Sequence, residues 1–89
     1  MAPATANFGP RQLLVSVVVG SRKFVAENTP VTRSVQGEYN GPTEGEQDFN
    51  VSPAGEEVII NIGGGIFHGL DTSGQPLVPA AGNGKWEDA

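Results

Sequence analysis

The chain has 89 residues, no cysteine, a single histidine and a formal net charge of −5. The lack of cysteine excludes disulfides and thiolate metal sites, and one histidine excludes a zinc site built from two or more histidines. The acidic balance argues against binding to nucleic-acid phosphates, which requires clustered Lys and Arg.

Size and turn-forming residues predict the fold class. A chain this short is one domain with a thin stability margin, and oligomerisation or docking on a larger assembly is the natural support that remains without disulfides or metal. The 13 glycines and 7 prolines suit a turn-rich β protein and leave little room for long helices. We therefore expect an all-β domain with no cofactor and no metal.

The apolar segments are short. The longest apolar run, residues 13–19, falls well below the roughly 20 residues that a membrane-spanning helix needs. The N-terminus has no basic region followed by an apolar core, so no signal peptide is expected. We expect a protein that is made in the cytoplasm and has no membrane partner, which is compatible with incorporation in a virion.

The first third of the chain predicts an arm followed by a hairpin. Residues 1–10, MAPATANFGP, have no periodicity and predict an extended arm, either disordered or ordered on a neighbouring subunit through Phe8. Residues 12–19, QLLVSVVV, form the strongest predicted strand, and the nearly continuous apolar run indicates that both of its faces are covered. Gly20 and Ser21 fit a type II′ turn, after which residues 22–26 return antiparallel.

The middle of the chain predicts short strands separated by turns. Residues 31–36 alternate weakly and predict an edge strand, in which Arg33 is an inward-pointing charge that blunts the edge. Residues 37–45 predict a loop, with Tyr39 either packed as a lid over the core or exposed as a contact residue. Residues 47–51 and 56–62 predict two strands joined by a turn at 52–55, and Val58, Ile60 and Ile62 share one face of the second.

The last third begins with three consecutive glycines, Gly63, Gly64 and Gly65. Residues 66–70 then predict a strand, 71–75 a turn, and 76–79 a short closing strand that its prolines confine to an edge. Residues 80–89 predict a loose tail that holds Trp86. Together the pattern predicts a small antiparallel β-sandwich or barrel of about seven short strands, spanning residues 11–79, with extended arms at both ends.

The glycine run permits three interpretations. A phosphate-binding loop would need G-x-G-x-x-G leading into a helix, but His68 occupies the third glycine position and a strand follows. A bulge or sharp bend would use the positive φ angles that glycine tolerates. Bare backbone would also let another chain approach closely, and on this basis the three glycines are candidate partner-binding residues.

Catalytic and metal-binding patterns are weak. His68, Asp71 and Ser73 have the residue types of a nucleophilic triad, but residues so near in sequence seldom reach its geometry. Four oxygen-bearing residues at every second position, Glu44, Glu46, Asp48 and Asn50, have a spacing that calcium loops use, although Val51 stands where such a loop needs glycine. A solvated acidic strand face explains them as well, so we predict no catalytic residue and no metal site.

The sequence therefore favours a non-enzymatic structural protein. We expect a small β subunit that docks on or co-assembles into a larger protein shell or particle, such as a virion decoration, cement or tail-type component. Its partner would be a protein, either further copies of the chain or an assembly lattice, and its expected contact residues are Phe8, Tyr39, Gly63, Gly64, Gly65 and Trp86. The alternative is a module that binds carbohydrate or another small ligand through Tyr39, Asn40, Trp86 and the acidic strand.

Overall fold

The computed structural model describes residues 2–74 and 77–89. These residues form eight antiparallel strands that close into a barrel. The strands are β1 (Ala2–Phe8), β2 (Leu14–Val19), β3 (Arg22–Val25), β4 (Arg33–Asn40), β5 (Glu46–Ala54), β6 (Glu57–Ile62), β7 (Gly65–Leu70) and β8 (Ala80–Asp88). Around the barrel their order is β1-β2-β3-β8-β5-β6-β7-β4, and β4 pairs with β1 to close it. The predicted all-β class is confirmed, and the architecture is a barrel rather than a sandwich.

Helical structure in the described residues is limited to one short turn. A 3-10 turn at Pro10–Gln12 connects β1 to β2, and Arg11 and Gln12 adopt positive φ angles of 64° and 63° there. Across residues 2–74 and 77–89, no helix is long and apolar enough to cross a membrane.

Alternating side chains fill the interior of the barrel. On β6 the inward residues are Val58, Ile60 and Ile62, which are all buried as the alternation predicts. The interior also takes several large rings, contributed by Phe8, Phe24, Tyr39, Phe49, Phe67 and Trp86. An eight-stranded barrel has an interior just wide enough for side chains to fill it. The barrel is therefore a packed core and not a channel.

Tight two-residue turns connect β2 to β3 and β5 to β6 as hairpins. Gly20 and Ser21 separate the paired residues Val19 and Arg22, and Gly20 has a φ of 58°. The predicted two-residue hairpin is thus confirmed. The turn between β5 and β6 lies slightly later than predicted, because Ala54 pairs with Glu57 and leaves Gly55 and Glu56 as the loop.

The predicted N-terminal arm is instead a strand. β1 pairs with β2 on one side and with β4 on the other. Its inward side chains are Ala2, Ala4, Ala6 and Phe8. Small side chains are needed there because the aromatic rings of other strands occupy the interior, and small residues commonly alternate with large ones in small barrels. The alanines that suggested a loose arm are therefore packing positions.

The predicted C-terminal tail is also a strand. β8 joins β3 to β5. A Cβ atom at Gly82 would lie 2.8 Å from the Phe49 ring, and one at Gly84 would lie 2.5 Å from the Phe24 ring. The two rings occupy the volume that these glycines leave free. Glycine usually weakens a strand, but here it is required for the packing of the rings.

Three further predictions are corrected. The segment predicted as an edge strand at 31–36 begins later, as β4, and it has a neighbour on both sides because the barrel has closed. β4 continues to Asn40, so the first part of the predicted loop at 37–45 is strand. Residues 76–79 were predicted to form a closing strand. Leu77 to Pro79 are not in a strand, although Leu77 is buried. Gln75 and Pro76, the ends of the predicted turn and strand, lie outside the described residues.

Candidate functional site

The three aromatic residues predicted as contact residues belong to the core. Phe8 is 0% exposed, and Tyr39 and Trp86 are each 2% exposed. The indole of Trp86 lies between two rings, with centroid distances of 5.4 Å to Phe24 and 5.3 Å to Tyr39. These side chains fill the barrel and cannot contact a partner or stack on a sugar while the barrel is closed. The interpretation of Tyr39 as a packed lid over the core agrees with the structure.

The two polar groups of this aromatic cluster differ in their hydrogen bonding. The Tyr39 hydroxyl donates a hydrogen bond to the carbonyl oxygen of Pro42 over 2.6 Å, and burial raises the pKa of this phenol above its ordinary value. The buried Nε1 of Trp86 has no hydrogen-bond acceptor among the described residues. The indole therefore contributes through ring packing rather than through its N–H group.

The three glycines form the β6–β7 hairpin. Ile62 pairs with Gly65, so Gly63 and Gly64 are a two-residue loop, and Gly63 has a φ of 57°. A Cβ atom at Gly63 would clash with the side chain of Gln47, and one at Gly65 would clash with the Tyr39 hydroxyl. Only Gly64 has open space around it. The positive φ angle agrees with the expectation of a sharp backbone turn, and no nucleotide-binding loop is formed because a strand follows.

The outer face of β7 carries exposed aliphatic side chains. Ile66 is 49% exposed and Leu70 is 58% exposed. Both occupy outward positions of the strand, because Phe67 between them is fully buried and strand side chains alternate. Ile59 of β6, which is partly buried, pairs with His68 of β7 and extends the apolar surface sideways.

Ionisable groups lie within and beside this apolar surface. His68 lies midway between Ile66 and Leu70, with its Nε2 3.9 Å from the Oε2 of Glu57 on β6. On the other side Glu38 of β4 pairs directly with His68. We call the set the β7 face, and it consists of Glu38, Glu57, Ile59, Ile66, His68 and Leu70.

An open groove of about 540 Å³ lies over β5, β6 and β8. Its polar lining includes Gln47, Asp48, Asn50 and Asn61, and its small residues are Gly63, Ala81 and Gly82. Asn50 and Asn61 are paired across β5 and β6, and the Asp48 carboxylate accepts a hydrogen bond from the Nδ2 of Asn83 over 3.0 Å. The groove therefore presents both donors and acceptors to solvent.

The catalytic and metal-binding arrangements weighed from the sequence are not assembled. The Asp71 carboxylate is 2.7 Å from the Arg33 guanidinium, and their side chains are only 9% and 11% exposed, so Asp71 is a structural ion-pair partner. His68 points outward beside Glu57, and Asp71 accepts a hydrogen bond from the backbone N–H of Ser73. In the described parts of the chain, no group of three or more His, Asp or Glu residues could hold a metal ion. Glu44, Glu46, Asp48 and Asn50 are exposed, which agrees with a solvated strand face.

The β7 face was missed by the sequence analysis, although one signal indicated it. Residues 66–70, IFHGL, place Ile66 and Leu70 on one side and Phe67 on the other. A strand that is apolar on both faces is typical of a strand covered on both faces. Applied to β7, this rule would have drawn attention to its outward aliphatic residues.

Comparisons with known proteins add no further assignment. No protein-family model matches the chain, and neither a curated protein nor a solved structure matches it.

Proposed function

We propose that the chain is a non-enzymatic structural protein that docks on or co-assembles into a larger protein shell or particle. The β7 face takes the role that the sequence analysis assigned to Phe8, Tyr39 and Trp86. The observation that carries the proposal is the pair of aliphatic side chains, Ile66 and Leu70, that stand about half exposed on one strand face. Exposed aliphatic side chains accompanied by polar groups are typical of a protein–protein contact.

The closed barrel disfavours docking by strand addition. Every strand has a hydrogen-bonded neighbour on both sides, so none of the strands offers a free edge to a partner strand. Partners therefore contact either side chains that project outward from the strands or the loops at the ends of the barrel. Among the outward side chains, those of β7 combine the largest aliphatic groups with a regular spacing along a rigid strand.

The test is co-sedimentation with large particles from the cells that naturally produce the protein. A double variant, Ile66→Ser with Leu70→Ser, should lose co-sedimentation while keeping the fold. The matched control is Val31→Ser with Val78→Ser, since these exposed aliphatic residues lie outside the strands. The proposal fails if the unmodified chain remains in the low-mass fraction, or if both double variants co-sediment equally.

A second candidate function, binding of carbohydrate or another small polar ligand, is supported by the carboxamide groups in the groove. Tyr39 and Trp86, which the sequence analysis assigned to it, are buried, so Asn50 and Asn61 replace them in this proposal. Carboxamides donate and accept at once, as sugar hydroxyls do. Titration of the protein with neutral disaccharides, followed by amide NMR shifts, should perturb residues 48–50 and 61. Asn50→Ala should weaken the shifts. Asn40→Ala should not, because Asn40, which the sequence analysis also assigned to this function, lies outside the groove.

A further inference from the structure

The strand order places β3 and β7 on opposite sides of the barrel. From β3 the chain of neighbours runs through β8, β5 and β6 to β7 in one direction, and through β2, β1 and β4 to β7 in the other. The two strands are thus separated by three strands either way. Surfaces centred on them point in opposite directions.

The surface centred on β3 carries both lysines of the chain. Phe24 and Trp86 point inward, so Lys23 of β3 and Lys85 of β8 project outward. Val18 of β2 pairs with Lys23, and Val25 of β3 pairs with Lys85. Both valines are partly exposed on this outer surface. We call this set the β3 face, and it consists of Val18, Lys23, Val25 and Lys85.

Two carboxylates also belong to the surroundings of the β3 face. Glu87 pairs with Lys23, and Glu46 pairs with Lys85. Each lysine therefore has one acidic neighbour, and this side of the barrel has no acidic excess. The β7 face differs, because its two carboxylates, Glu38 and Glu57, are accompanied only by His68.

We propose that the partner of the β7 face is the β3 face of a second copy of this chain. The contact would place the lysines against Glu38 and Glu57, and the two valines against Ile66 and Leu70. Opposite charges would then border an apolar centre, which is the arrangement of a complementary interface. This inference rests on the proposed function and adds the identity of the partner.

Charge argues against the symmetric alternative. A two-fold contact between two β7 faces would bring Glu38 and Glu57 of both copies together, with only the two imidazoles to offset them. A contact between different faces avoids this repulsion and leaves one free β7 face and one free β3 face at the ends of every oligomer. Such head-to-tail contacts produce a ring when the rotation closes and a filament when it does not.

The test uses charge reversal on each face. The first variant carries Glu38→Lys and Glu57→Lys, and the second carries Lys23→Glu and Lys85→Glu. Each variant alone should lose all species larger than the monomer in light scattering, because the substituted side chains then have the same charge as the residues that they are proposed to meet. Mixed in equal amounts, the two variants should regain the assembly, since each reversed face then meets its complement. The control, Glu27→Lys with Glu44→Lys, changes the net charge as the first variant does but alters exposed residues outside both faces.

Salt provides a second readout. The molar mass of the unmodified protein should rise with concentration at about 0.1 M salt and fall at about 1 M, where the Debye length shrinks from about 10 Å to about 3 Å. The far-UV spectrum and the Trp86 emission verify that each variant is folded.

Several results would overturn the head-to-tail contact. They are an unmodified protein that stays monomeric at all concentrations, a dimer that does not grow, and variants that do not complement one another on mixing. A monomeric protein that still co-sediments with particles from its natural source would overturn this inference and leave the proposed function standing. A protein that neither self-associates nor co-sediments would overturn both this inference and the proposed function.

Discussion

The hydroxyl group of Tyr39 occupies the space that a Cβ atom on Gly65 would need. The same hydroxyl lies 3.2 Å from where a Cβ atom on Gly41 would be, and it donates its hydrogen bond to Pro42. The position of this one buried phenol therefore accounts for the requirement for glycine at Gly65 and for the limited space at Gly41. The three consecutive glycines are not equivalent, because each has different surroundings.

Alanine substitutions should separate the roles of these glycines. Gly65→Ala forces a methyl group against the Tyr39 ring and should reduce the free energy of unfolding by about 1–3 kcal/mol, the usual cost of overpacking. Gly64→Ala, in open space and without a left-handed φ, should be neutral or should stabilise by about 0.4–1 kcal/mol. Urea unfolding followed by Trp86 fluorescence measures both. Equal effects at the two positions would show that Tyr39 does not determine the requirement for glycine.

The stability of the barrel should fall above pH 10 because of Tyr39. Burial raises the pKa of the folded phenol above its ordinary value of 10.0. As the pH rises past 10, the unfolded chain therefore releases this proton before the folded chain does, which favours unfolding. The contribution is complete below pH 10 and is lost as the pH rises through the folded pKa.

Tyr39→Phe isolates the contribution of this phenol to the pH dependence of stability. At neutral pH the variant should lose about 1 kcal/mol, the usual contribution of one hydrogen bond. Above pH 10 the difference from the unmodified protein should shrink. Because the chain contains a single tyrosine, phenolate absorbance also follows its ionisation directly. Ionisation of the folded protein at the same pH as the urea-unfolded chain would contradict the prediction.

The ion pair between Arg33 and Asp71 should be strongly coupled. Its atoms are 2.7 Å apart and both side chains are nearly buried. Arg33→Met or Asp71→Leu alone should reduce the free energy of unfolding by about 3–5 kcal/mol, because each leaves one buried charge without this counter-charge. The double variant should lose much less than the sum of the two. A double-mutant cycle in urea measures the coupling, and additive losses would show that the pair is not a unit.

Removal of residues 80–89 should unfold the protein. These residues include β8, which joins β3 to β5 and supplies the Trp86 indole to the core. Its loss opens the barrel and leaves Phe24 and Phe49 without the glycine-lined surface against which they pack. We expect loss of the cooperative unfolding transition in circular dichroism. A truncated chain that still unfolds cooperatively would mean that residues 80–89 are the dispensable tail that the sequence suggested.

The strands that were predictable share a local signal. β2 and β6 contain dense β-branched residues, and the Gly20–Ser21 hairpin is defined by its own turn residues. The strands β1 and β8 lack such signals, since Ala2 to Ala6 and Gly82 to Gly84 have low β propensity. Their pairing depends on rings contributed by distant strands, such as Phe24 against Gly84. This packing cannot be predicted from a single sequence, because β propensity does not say which side chain of another strand will fill the space beside a glycine.

The site was harder to predict for the same reason. Aromatic residues in segments without periodicity resembled exposed anchors, but closure of the barrel turned Phe8, Tyr39 and Trp86 inward. The segment at 66–70 was predicted to be a strand without an assignment of its faces, and Ile66 and Leu70 are exposed in it. Which face of a strand becomes the interior depends on the curvature of the whole sheet, and curvature is not encoded in a five-residue pattern.

Closure by β8 also has a kinetic consequence. Lys23 of β3 and Glu87 of β8 are neighbours in the barrel but are far apart in sequence, and pairings of this kind are slow to form. Until β8 is in place, β3 and β5 each expose a row of unpaired amide and carbonyl groups. Aggregation competes most strongly with folding during this interval. The yield of refolded protein should therefore depend on concentration far more than the stability of the finished barrel does.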